Sequence, residues 1–207
     1  MSRIAYHHPA AIEFCTRQIT LALQSIPKSE NIICVCIGTD RSTGDSLGPI
    51  VGTQLKKQST PGIKIYGTLD EPVHALNLES TMNQIANVYD HPTIIAVDSC
   101  LGQSKNVGSI QVGLGPIKPG AGVHKDLPEV GQIHVTGIVN VAGFMEYFVL
   151  QNTRLHLVIS MAEVIAKGIY LALFQTGRIL SPALHLNMQA ARSSDGFTPT
   201  MTLLPTE

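Results

Sequence analysis

Short, almost wholly apolar runs alternate along this chain with longer amphipathic stretches. Residues 10–25 carry Ile12, Cys15, Ile19 and Leu23 at helical spacing, which predicts an amphipathic helix stopped before Pro27. Residues 31–37 (NIICVCI) are too short for such a helix and rich in Ile and Val, so they read as a buried strand. A helix follows over residues 47–58, with Pro49 in its first turn, where a missing N–H leaves no bond unmade. Ile63–Tyr66 predicts a second short strand, residues 68–76 a loop, and Asn77 the cap of a helix running to Tyr89.

Residues 93–97 read as a third strand between Pro92 and the polar Asp98-Ser99 pair. The Gly- and Pro-rich stretch 107–123 predicts one strand, a hairpin arm, and then an irregular loop. Residues 132–139 alternate as a strand, 140–151 suggest a helix, 155–160 a last strand, and 161–176 a long apolar helix. The residues after Gly177 are turn-rich and resist assignment. Strands alternating with helices at this interval predict a three-layer α/β/α sandwich with a mainly parallel sheet. With no linker or repeat, residues 1–207 read as one domain with an irregular tail from about 178.

Composition narrows the partners. Apolar residues make up 44% and charged residues 14%, as expected of a well-buried α/β chain. A net charge of −1 gives no basic field for nucleic acid or acidic lipid, and there is no Trp for base stacking. Cys15, Cys34, Cys36 and Cys100 show neither a paired framework nor a metal spacing, and so read as reduced thiols. Neither a secretory signal nor an uninterrupted apolar run of roughly 18–20 residues is visible, so a cytoplasmic protein is expected.

Candidate chemistry concentrates between the first strand and its following helix. The loop there ends Gly44-Asp45-Ser46 and lacks the lysine of a phosphate-binding loop. It offers carboxylates instead. Asp45 and Asp98 each follow an apolar strand, so in a parallel sheet both reach the carboxyl edge, where such folds place their chemistry. Two neighbouring acids cannot both ionise freely, and such a pair can share a proton and activate water. Alternatively they bind a divalent metal with an imidazole, for which His124 after the glycine-rich loop is the candidate. Asp45 also suits a helix cap, and Asp40 a solvated turn. Thr136 and Gly137, at the end of the 132–139 strand, are placed to line the same edge. His7 and His8 fall at a terminus expected to fray, while His74 and His91 fall in loops.

Gly44-Asp45-Ser46-Leu47-Gly48-Pro49 together with Ala96-Val97-Asp98-Ser99 resembles the two motifs of the spore germination protease and the hydrogenase maturation proteases. Lys118-Pro-Gly-Ala-Gly-Val and His134-Val-Thr-Gly-Ile bring the chain closer to sporulation proteins of the YyaC type. The resemblance implies a phosphorylase/hydrolase-like fold and a cytoplasmic, sporulation-associated endopeptidase acting on protein or peptide, with self-association open, while the charge balance and the lack of a spanning apolar run point to no nucleic-acid or membrane partner. It implies Asp45 and Asp98 as the catalytic pair. Gly44, Ser46, Leu47, Thr136 and Gly137 then serve substrate binding or the oxyanion. In a maturation-type protease the metal ligands become Asp45, Asp98 and His124, holding nickel or zinc. A non-catalytic role in spore assembly or regulation is the third reading.

Overall fold

The computed structural model describes residues 3–58, 62–120 and 127–179. Strand β1 (Arg3–Ala5) leads into helix α1 (Ala11–Gln24), β2 (Ile32–Cys36), α2 (Leu47–Lys57), β3 (Ile63–Tyr66) and α3 (Leu78–Val88). Then come β4 (Thr93–Gly102), β5 (Ser109–Leu114), β6 (Ile133–Val141), α4 (Glu146–Gln151) and α5 (Leu155–Gln175). The six strands form one mixed sheet in the order β1-β5-β6-β4-β2-β3. Strands β3, β2, β4 and β6 run parallel, while β5 lies antiparallel to both β6 and β1.

Side-chain alternation across the central strands builds two cores. Ile32, Cys34, Cys36, Ile95, Val97, Ile133 and Val135 face α1, α2 and α5. Ile33, Val35, Ile37, Ile94 and Ala96 face α3 through Leu78 and Ile85. A strand buried on both faces needs apolar residues at every position, which is why 32–36 shows no alternation in sequence. Helices thus cover both faces, as expected, with the Gly-rich middle segment supplying the antiparallel strand β5.

The structure corrects several boundaries. No strand occupies 155–160; those residues open the single helix α5, because a short apolar run cannot by itself separate a strand from a buried helical turn. α5 is long and apolar enough in length and composition to cross a membrane, yet ten of its residues are buried in the core and it packs on α1 and α2. Its apolarity is thereby accounted for as that of a core helix. Helix α4 spans only six residues of the expected 140–151 stretch, since β6 continues to Val141. β1 was not expected. It pairs with β5, and the turn after it is pinned by Tyr6 N–H to Gly108 O (3.0 Å) and Ala10 N–H to His8 Nδ1 (3.0 Å). Asn77 precedes α3, but its side chain bonds backward into the loop instead of capping the helix: Oδ1 accepts from His74 N (2.8 Å) and Nδ2 donates to Pro72 O (3.0 Å).

Candidate active site

β2 ends where Ile37 N–H bonds Val97 O (2.7 Å) and Gly38 N–H bonds Val73 O (2.8 Å). These two bonds hold three chain segments together at the carboxyl edge: the loop after β2, the loop before α3, and β4. Gly38 has φ +139°, a conformation L side chains rarely adopt, and a Cβ there would collide with the main-chain oxygen of Asp45. The same oxygen accepts from Thr39 N–H (3.1 Å), so residues 38–45 close on themselves and present Asp45 on a 3-10 turn, Gly44–Ser46. Gly44 lies beneath Leu150 and Thr153, with no room for a side chain. The turn is therefore clamped from above by the α4 segment.

Asp98 is buried in β4, opposite Thr136 of β6. Its Oδ1 accepts from Ser99 N–H (2.7 Å). Burial first, and then the negative charge of Asp45, push its pKa well above the ordinary 3.8, the Ser99 bond offsetting only part. Asp45 also titrates above its ordinary value because it is partly buried, but Thr39 N–H and His74 favour its ionised form. The two carboxyls therefore lie within electrostatic reach of each other, in environments that split them. Asp98, the more deeply buried and with the charge of Asp45 acting on it, is the one pushed well above its ordinary value.

Asp45 does not act as a helix cap by side-chain hydrogen bond, since none is made at the start of either the 3-10 turn or α2. Ser46 Oγ donates to Thr43 O (2.7 Å), Leu47 is fully buried, and Gly137 lies under Leu47 and Met161. Thr136 lies opposite Asp98 on β6, and its side chain lowers the pKa of the Cys100 thiol. Asp40 is exposed. His134 is tied to Gly115 O through Nδ1 (2.9 Å). Two features escaped sequence reading. His74 reaches Asp45 because Val73 bridges to Ile37, a contact between segments 36 positions apart that no local motif reveals. Ser42 Oγ is buried in the acid loop with no hydrogen-bond partner among the described residues. Two open grooves of about 670 and 510 Å³ run along α1 and α5 and include neither acid.

His124 lies outside the described residues. Among those described, no three His, Cys, Asp or Glu side chains gather as a metal site.

Cys100, two residues beyond Asp98 on β4, is partly buried, whereas Cys15, Cys34 and Cys36 are buried, the last two with sulfurs 3.5 Å apart. Burial, then Asp98, push the Cys100 thiol up to about 11, against a lowering from Thr136. A thiol that stays protonated is a poor nucleophile. Ellman titration of the native protein near neutral pH should accordingly be slow and confined to one thiol, rising to four on denaturation. Fast labelling of Cys100 would contradict the acidic, desolvated environment described.

In fold the chain resembles the [NiFe] hydrogenase maturation protease HycI of Thermococcus kodakarensis KOD1, with a TM-score of 0.50 at 18% identity over 70% of this chain and 92% of that one. The class defined by fold is thus the maturation-protease-like α/β fold. The chain itself belongs to the family described as "Protein of unknown function (DUF1256)", whose profile matches residues 3–168. It is 62% identical over 140 residues, 68% of each chain, to "Uncharacterized protein YyaC" of Bacillus subtilis (strain 168).

Proposed function

We propose that this protein is an endopeptidase that hydrolyses peptide bonds with Asp45 and Asp98, acting in the cytoplasm of a spore-forming cell during sporulation. The observation that carries the reading is the split of the acid pair at the carboxyl edge of the sheet: buried Asp98 gains proton affinity partly from Asp45, while Thr39 N–H and His74 favour ionised Asp45. Asp45 takes the proton of an attacking water, and protonated Asp98, as general acid, passes its proton to the scissile carbonyl oxygen as it gains negative charge. Collapse of the tetrahedral adduct returns that proton to Asp98 and breaks the C–N bond, and the proton held by Asp45 passes to the leaving amine. The acid loop supports this role, since Gly38, Gly44 and the α4 clamp fix the Asp45 backbone, while Thr39 N–H and His74 act on its carboxylate.

Hydrolysis of dye-labelled β-casein and of spore-protein extracts tests the reading. Asp45→Asn should abolish cleavage with its melting temperature preserved or raised near neutral pH, because burial already disfavours the ionised carboxylate that asparagine replaces. Undiminished cleavage by Asp45→Asn would remove Asp45 as the base, and inert wild-type protein on every such substrate would remove the peptidase reading.

A further inference from the structure

β4 outlasts β2. The last residue of β4 paired with β2 is Val97, opposite Cys36, yet β4 runs on to Gly102 beside β6. Along β4 the main-chain groups alternate in direction. Odd-numbered residues serve β2, as in Thr93 N–H to Asn31 O (2.8 Å) and Ile37 N–H to Val97 O (2.7 Å). Even-numbered residues serve β6, as in Gln132 N–H to Ile94 O (3.0 Å) and Ala142 N–H to Gly102 O (2.8 Å). Ser99 and Leu101 continue the odd series, so their N–H and C=O face the side that β2 has vacated. No strand stands there among the described residues. Ser99 N–H donates to the neighbouring Asp98 carboxyl (2.7 Å).

The vacated edge begins at the acid pair. The turn carrying Asp45 packs against β4, and the far end of the edge, where Gly102 pairs with Val141, leads to Phe144 and Tyr147, 90% and 66% exposed. Unpaired strand groups at strand spacing match one class of ligand, an extended polypeptide backbone, because its own N–H and C=O recur at the same repeat. A lipid or a sugar offers no such repeat.

We propose that residues 99–102 bind the substrate as an added strand, so that the enzyme selects an extended polypeptide segment by its main chain. The scissile carbonyl then lies over Asp98, and Ser99 N–H, released from Asp98 Oδ1, donates to its oxygen. Phe144 and Tyr147 meet apolar side chains farther along the bound segment. This inference rests on the peptidase reading above for the position of the scissile bond, but not for the edge itself.

Amide hydrogen exchange on the full-length Asp98→Asn and Asp45→Asn proteins, with and without excess β-casein as an unfolded probe, tests it. Exchange at Leu101, and at Ser99, should slow at least tenfold on adding casein, with the amides of α1 and α5 unchanged. A casein peptide N-methylated at alternate amides should lose binding in one phase of the alternation and keep it in the other. Protection confined to other elements, equal loss in both N-methyl phases, or no protection in either variant overturns the edge site. Cleavage by the wild-type protein without protection at 99–102 removes this inference and spares the peptidase. Protection there without any wild-type cleavage does the reverse.

Discussion

Replacing Asp98 by asparagine is expected to lower peptide hydrolysis by roughly 10²–10⁴-fold, the usual share of a positioned general acid, while leaving the fold at least as stable at alkaline pH. Both effects follow from the same burial. The carboxyl is buried in β4, and that burial, with the charge of Asp45 adding to it, pushes its pKa well above 3.8. Between that ordinary value and the raised one, the folded chain holds a proton that the unfolded chain has released. Unfolding free energy therefore falls as pH rises through this window and levels off above it. Asparagine copies the neutral acid in shape and can still accept from Ser99 N–H, but it has no proton to lose. Urea unfolding from pH about 4 to 9 should show wild-type stability declining while Asp98→Asn declines less. Parallel curves would mean that Asp98 does not titrate abnormally, and the division of labour between the acids would go with it.

The two acids were legible in the sequence because each follows an apolar strand, and a parallel sheet sends both strand ends to one edge. That logic needs only the strands at 31–37 and 93–97, which the structure contains as β2 and β4. What escaped was everything fixed by pairing between distant segments. The length of β4 beyond Val97 is set by β6 alone, and residues 98–102 carry no apolar pattern to announce a strand. β1 is three residues long and stable only because β5 offers an edge. His74 is one of eight histidines, and only the bond from Gly38 to Val73 brings it to the acids. The mistaken strand at 155–160 failed for a different reason: residues of a core helix that face packed neighbours lose the polar face that marks a helix.

Gly38→Ala is expected to cost about 2–5 kcal/mol, combining the strain of an unfavourable φ with the overlap of a new methyl and the main chain. At φ +139° the added Cβ runs into Asp45 O and approaches Pro49 Cδ at 3.1 Å. Neither neighbour can yield cheaply. Asp45 O is held by Thr39 N–H, and Pro49 is locked in the first turn of α2, whose Gly48 already touches Ile37. Relief therefore has to come from the 3-10 turn, which moves the Asp45 carboxyl away from Asp98. Gly115→Ala supplies the control. Its φ is +90° but nothing lies within 4 Å of the new methyl, so it reports the conformational cost alone, about 1–2 kcal/mol. Urea midpoints should place Gly38→Ala well below Gly115→Ala, and under conditions where both are folded only Gly38→Ala should lose casein hydrolysis. Equal midpoints with retained hydrolysis would show that the loop can give way without moving Asp45, and that its closure on Gly38 is not what aims the carboxylate.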